Sequence, residues 1–351
     1  MANILILGAG VMATALAVPA SDNGHAVVLA GTPLDDAVVA RMQASGGTHP
    51  KLDASLPGTV RVIADAEVTA QDTDRADLIV VGVSSPGIAW AVDRLNGLLR
   101  HEATVAFVTK GLDRKDGAVV TFAETVPERI SRLGTFIGIG GPCIARELAL
   151  RLPTASVYAA RDKADAERAA ALFRTPYYRL AASDDLTGVE ACAALKNFFA
   201  IGVSAMQTRY PDALRADGQS KNPTAAVFTQ AVHEMATLCE RIGGARSTAF
   251  DLAGLGDLHV TVGGGRNSRL GHSLGRDRTV EEAMAQDLAN ETVEGIDTAR
   301  VVASLLEAIG LQANGRDAVK FPLAQAIIDA VLGNALFDFD FEDLPTPANA
   351  G

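Results

Sequence analysis

A single cation, Lys196, lies in the apolar segment from Ala191 to Ala205 and is followed at once by Asn197. An ammonium buried without compensation is costly. Either its stem carries the charge out to water, or the group is placed for chemistry. A lysine held in apolar surroundings can exchange a proton near neutrality. Asp257, in Leu252-Ala253-Gly254-Leu255-Gly256-Asp257-Leu258, is a carboxylate that could orient such a lysine; a capping aspartate on a surface loop is the other reading. Soon after comes Gly263-Gly264-Gly265-Arg266-Asn267-Ser268-Arg269. Three glycines leading into Arg266 and Asn267 gather backbone and side-chain donors for an anion, and the guanidinium fork matches phosphate.

A second group of residues opens the chain. The apolar run Asn3 to Leu7 leads into Gly8-Ala9-Gly10-Val11-Met12-Ala13 and then a helical pattern. This strand, G-x-G-x-x-A turn and helix start form a dinucleotide fingerprint. Gly8 makes the tight turn, Gly10 admits a pyrophosphate, small Ala13 packs helix on strand, and Val11 and Met12 open the helix that faces the anion. NAD or NADP is therefore the expected cofactor. After the next strand, Ala26 to Ala30, Asp35 and Asp36 stand late for reading a ribose and also suit a helix cap; no arginine beside them suits a 2′-phosphate, which leans toward NAD.

Further strands are expected at Asp77 to Val83, Thr104 to Thr109, Phe136 to Ile139 and Ala155 to Ala159. Their continuous apolar character fits a parallel sheet covered on both faces. Ligands of such sheets bind beyond the carboxyl ends of the strands. Lys110, Gly141 and Cys143 fall there and are candidate substrate contacts, although Lys110 also reads as a solvated lysine.

The elements that must position these residues divide into two kinds. Residues 1–185 read as a Rossmann-like α/β domain, residues 186–340 as a mainly helical domain, and 341–351 as a frayed tail. Helices are expected at Lys221 to Cys239, Val280 to Ala289, Gly295 to Ile309 and Leu323 to Leu332. A chain of 351 residues normally splits into more than one core. The net charge of −11 and scarce aromatics argue against nucleic acid. Three scattered cysteines suggest no disulfide framework, and His233 and Glu234, read as adjacent surface groups, lack further ligands for a metal. No basic leader precedes Ile4, and no run of about 18–20 apolar residues is evident, so a cytoplasmic protein without stable membrane insertion is expected. Apolar helices in the second half could support a homodimer.

Taken together, Gly8-x-Gly10-x-x-Ala13, Thr109-Lys110-Gly111, Gly141-Pro142, Leu195-Lys196-Asn197, Ala253 to Leu258, Arg266-Asn267-x-Arg269 and Val293-Glu294-Gly295 resemble the NAD(P)-dependent glycerol-3-phosphate dehydrogenase family of the soluble bacterial type. The motifs keep family order over residues 3 to 335. The resemblance implies hydride transfer between NAD(P) and a secondary alcohol phosphate, most simply glycerol 3-phosphate and dihydroxyacetone phosphate. It implies Lys196 as acid/base, Asp257 as its active-site carboxylate, Lys110 on substrate, and Arg266 and Asn267 on the phosphate, with Arg266 also near the cofactor. Ala145 and Glu294 would lie against the nucleotide. Four departures stand out: Cys143 and Gly265 each replace a serine, Val83-Ser84-Ser85 replaces Val-Pro-Ser, and a longer polar connection runs between Ser204 and Thr224. Lost hydroxyls can change substrate. A dehydrogenase of a related polyol phosphate or hydroxy acid is one alternative, and a non-catalytic nucleotide-binding regulator is another.

Overall fold

The computed structural model describes residues 1–312 and 321–344. Backbone contacts divide the chain into two units, the first comprising residues 1–111 and 121–190, the second residues 112–120 and the chain from Ala191 onward.

The first unit is built on an eight-stranded sheet. Its strands are β1 (Asn3–Leu7), β2 (Ala26–Ala30), β3 (Val60–Ile63), β4 (Leu78–Val81), β5 (Ala103–Phe107), β8 (Leu133–Gly140), β9 (Thr154–Ala159) and β10 (Tyr178–Ser183). The order is β10-β9-β8-β5-β4-β1-β2-β3. β9 runs antiparallel to β8, and every other pairing is parallel. Helices α1 (Val11–Asp22), α2 (Asp36–Ala44), α3 (Ala70–Arg75), α4 (Ile88–Leu98), α5 (Phe122–Thr125), α6 (Ala145–Ala149) and α7 (Lys163–Ala171) belong to this unit. Central strands β1 and β4 bury consecutive residues, Ile4 to Leu7 and Leu78 to Val81, because both faces are covered. The strand order reverses beside β1, the position at which doubly wound sheets bind ligands.

Strands β3 and β10 were not evident in the sequence. Both are sheet edges, so few residues are buried, Ile63 in β3 and Tyr178 and Leu180 in β10, while Arg61 and Arg179 face out. The short apolar signal of a central strand is therefore missing.

The second unit contains α8 (Leu186–Arg209, beginning in the first unit), α9 (Asn222–Ile242), α10 (Asp257–Val262), α11 (Arg266–Leu274), α12 (Val280–Gln286), α13 (Glu294–Gln312) and α14 (Pro322–Leu332). By length and composition α8 could cross a bilayer, contrary to the sequence expectation of no such run. Its apolar window is wholly buried in the protein, as befits a core helix apolar on all sides. Strands β6 (Leu112–Lys115) and β7 (Ala118–Thr121) form a two-stranded sheet, and β6 packs on α13. Asp116 and Gly117 both have positive φ, 52° and 82°, as a two-residue hairpin turn demands. The Asp-Gly pair was the available signal for this hairpin, which sequence reading passed over.

Glu234 corrects another expectation. It is a buried group, not a surface neighbour of His233, since successive helical residues point about 100° apart. Its carboxylate accepts the N–H groups of Leu323 and Ala324 at 2.9 and 2.8 Å, so α9 caps the start of α14. Toward the end of the chain Phe337 and Phe339 are buried, and Phe341 meets Tyr210 edge-on with ring centroids 6.5 Å apart. The sequence predicts a frayed tail over residues 341–351; its first residues instead form a 3-10 turn, Phe341–Asp343, and residues 345–351 lie outside the described residues.

Candidate active site

In the second unit, Lys196 and Asp257 form an ion pair, Nζ donating to Oδ1, with side-chain exposures of 9% and 3%. Lys196 comes from the middle of α8. Asp257 is delivered by a wide π-type turn, Leu252–Gly256, which Asp251 caps by accepting the Leu252 N–H at 2.7 Å. Such turns shift the helical register and re-aim the residue that follows. Gly254 sits against Ala249 so closely that a Cβ would lie 2.3 Å from its carbonyl oxygen. The snorkelling alternative for Lys196 does not hold: its charge is met inside by a carboxylate.

A polar chain adjoins this pair. Asn197 Nδ2 donates to Glu294 Oε2 at 3.1 Å, and Arg266 Nη2 donates to Glu294 Oε1 at 3.3 Å. Asn267 Nδ2 donates to Asn197 Oδ1 at 3.0 Å, while the Gly295 N–H donates to Asn267 Oδ1 at 2.9 Å. Three helices therefore converge: α8 through Asn197, and the first turns of α11 and α13 through Arg266–Asn267 and Glu294–Gly295. Asn197 and Asn267 are buried, whereas Arg266 and Glu294 keep about half of their side chains exposed, 46% and 51%. An exposed ion pair of this kind contributes little to stability, so Arg266 can exchange its partner for an incoming anion. Gly265 precedes α11 with φ +97° and puts no capping side chain over the helix start. The open N–H groups beside Arg266 suit a phosphate.

The first unit holds the other candidates. Gly8 turns with φ +106°, and a Cβ there would lie 2.8 Å from the Gly82 carbonyl oxygen. A Cβ on Gly82 would in turn lie 2.3 Å from the Ala13 Cβ, so small residues on both sides set the approach of α1 to the sheet. Gly10 is the N-cap of α1 and no side chain caps it. Val11, Met12 and Ala13 thus begin a twelve-residue helix open to an anion at its positive end, which fits a dinucleotide pyrophosphate. Cys143 Sγ touches Met12 Sδ at 4.0 Å, and Ala145 begins α6, which packs on α1. Gly141 makes its turn with φ +100° after β8. Lys110 follows β5 and is half-buried, its carbonyl accepting the Ser85 hydroxyl at 3.3 Å. Asp35 occupies the N-cap position of α2 without capping it.

The structure therefore joins Lys196 with Asp257, and Arg266 and Asn267 with Glu294, within the second unit. It joins Gly8, Gly10, Val11, Met12 and Ala13 with Cys143 and Ala145 within the first. Asn197 was missed as a member of the site. Its signal was a polar amide next to Lys196 in an otherwise apolar helix. Among the described residues, no group of three or more His, Cys, Asp or Glu is arranged to hold a metal ion.

Residues 3–166 match the family model described as the NAD-dependent glycerol-3-phosphate dehydrogenase N-terminus, and residues 185–337 match that of its C-terminus. The NADP(+)-dependent glycerol-3-phosphate dehydrogenase of Archaeoglobus fulgidus is 36% identical over 304 residues, 84% of this chain and 87% of that protein. The glycerol-3-phosphate dehydrogenase [NAD(P)+] of Azotobacter vinelandii is 32% identical over 349 residues, 96% of each chain. The crystal structure of the glycerol-3-phosphate dehydrogenase from Coxiella burnetii superposes with a TM-score of 0.76 at 27% identity, covering 95% of this chain and 96% of that one.

Proposed function

The chain belongs to the NAD-dependent glycerol-3-phosphate dehydrogenase family, and from that premise we propose that it interconverts sn-glycerol 3-phosphate and dihydroxyacetone phosphate with NAD or NADP. The observation that carries the reading is the buried Lys196–Asp257 pair beside the Asn197–Asn267–Glu294–Arg266 chain. The first unit binds the cofactor through the Gly8–Ala13 loop. A bound nicotinamide supplies the hydride acceptor or donor.

The chain's own residues manage the rest. Lys196, as the neutral amine, takes the C2 hydroxyl proton during oxidation and, as the ammonium, gives it to the carbonyl oxygen during reduction. Asp257 holds the lysine head in place and balances its charge. Arg266, Asn267 and the open start of α11 bind the phosphate, with Lys110 as a further substrate contact. Glu294 keeps Arg266 and Asn197 oriented.

A second reading keeps the chemistry and changes the substrate. Gly265 and Cys143 supply no hydroxyl where the family resemblance expects serines, which favours a related polyol phosphate. Steady-state assays of nicotinamide absorbance separate the two. Glycerol 3-phosphate and dihydroxyacetone phosphate are compared with four- and five-carbon polyol phosphates, each with NAD and NADP. Highest kcat/KM on the three-carbon pair, abolished by Lys196→Ala, supports the first reading. Efficient turnover of longer substrates alone supports the second. Tight cofactor binding without turnover of any substrate overturns both.

A further inference from the structure

We infer that Asp35 and His49 are positioning residues for the nucleotide loop, holding Ala9 from opposite sides so that the first turn of α1 is ready for a pyrophosphate. The inference rests on the reading of Gly8–Ala13 as the cofactor loop. Ala9 lies between two glycines, where the backbone has the most freedom to lose on binding a ligand. Both of its backbone polar groups are instead tied to side chains from distant segments. The Ala9 N–H donates to Asp35 Oδ2 at 3.1 Å, and the Ala9 carbonyl receives His49 Nε2 at 3.2 Å.

Each anchor is itself fixed. Asp35 Oδ2 also accepts the Thr32 N–H and the Thr32 hydroxyl, both at 2.9 Å. His49 is 3% exposed, and its Nδ1 accepts the Lys51 N–H at 3.1 Å. A backbone amide can only donate, so Nδ1 carries no proton. The ring is therefore the neutral tautomer with its hydrogen on Nε2, pointing at Ala9. The segment that carries His49 is pinned by a Thr48–Ser55 bridge, by the Leu56 N–H on the Gly47 carbonyl, and by buried Leu52 and Leu56. Since Asp35 occupies the Ala9 N–H, phosphate binding falls to the uncapped start of α1.

The arrangement depends on protonation. An imidazolium would present a second N–H to the Lys51 amide and break the clamp. Burial most of all lowers the tendency of His49 to take that proton; the bond to the Ala9 carbonyl favours it, Lys51 opposes it and Asp35 favours it. Arg41 and Asp53 line the same recess.

The test is a fluorescence titration of the full-length protein with NADH and with NADPH. The variants are His49→Ala and His49→Gln; the Gln amide can both donate to Ala9 and accept from Lys51. His49→Ala is expected to raise the cofactor Kd about tenfold, the scale of one lost hydrogen bond, while kcat at saturating cofactor moves less than about twofold. His49→Gln should recover most of the affinity. Between pH 7 and pH 5 wild-type affinity should fall and that of His49→Gln should stay level, which separates His49 from other titrating groups. An unchanged Kd in His49→Ala, or equal pH dependence in wild type and His49→Gln, overturns the inference. If His49→Ala does not fold, the pH comparison decides alone. Wild-type protein that binds neither cofactor overturns the nucleotide-loop reading itself.

Discussion

The Lys196 ammonium and the Asp257 carboxylate meet almost entirely out of water, although 61 residues of chain separate them. Removing two charges from water costs several kcal/mol each, and their attraction offsets this only while both are present. The pair is thus expected to behave as one unit in stability. Asp257→Ala should destabilise the protein by about 3–5 kcal/mol. The double variant Lys196→Met/Asp257→Leu should recover much of that loss and still lack turnover. Urea unfolding of the wild type and both variants tests this. A double variant no more stable than Asp257→Ala would mean that the two charges are not coupled.

The polar chain beside that pair depends on a missing side chain. A Cβ on Gly295 would lie 2.7 Å from the Asn197 carbonyl oxygen and 2.9 Å from Asn267 Oδ1. Gly295→Ala should therefore push α13 away from α8 and misplace Asn267 and Glu294. Misplacement by about 1 Å can cost on the order of a hundredfold in turnover. We expect kcat/KM to fall at least about tenfold, and cofactor Kd to rise as well, because Glu294 is among the residues expected against the nucleotide. Steady-state kinetics paired with cofactor titration checks this; normal kcat/KM would show that α13 does not position the phosphate-binding residues.

These two features differ in how far they can be read from sequence. Lys196 stands out because it is the one cation in the apolar segment from Ala191 to Ala205, and the Gly8–Ala13 loop because strand, turn and helix start lie side by side in the chain. Asn197 carries no charge to mark it, and its partners are 70 and 97 residues away. His49 has no motif around it, and its contact with Ala9 spans 40 residues. The re-aiming of Asp257 depends on a π-type turn that leaves no periodicity to detect. Local patterns reveal the groups that can do chemistry, while the groups that orient them emerge only when distant segments pack.

The phosphate assignment makes a separate prediction. Arg266 shares Glu294 in an exposed pair, so an incoming dianion competes with a weakly held partner. Arg266→Leu should raise the KM for glycerol 3-phosphate by about 10–100-fold, the scale of a charge-assisted hydrogen bond. Inorganic phosphate should also lose its power to inhibit competitively against substrate. Inhibition by phosphate that survives in Arg266→Leu would move the phosphate site elsewhere.

Two buried glutamates predict the dependence of stability on pH. Glu190, the last residue of the first unit, accepts the Ala123 N–H at 2.7 Å. Burial pushes its carboxyl up to about 7, and burial likewise pushes Glu234 up to about 7, each from an ordinary value of 4.5. The folded state then holds these protons more tightly than the unfolded chain. Stability from these groups is present below about pH 4.5 and is lost as pH rises toward 7. His25, His49 and His272, whose burial lowers their pKa values, act in the opposite direction as pH rises toward 6.5. A difference between wild type and Glu190→Gln cancels those histidines. The variant's relative stability should rise by about 3 kcal/mol between pH 4.5 and pH 8, then level off. Denaturant unfolding across that range gives the curve. A difference that stays flat would mean that Glu190 is already ionised in the folded protein near pH 5, with its charge stabilised by the Ala123 N–H and its surroundings.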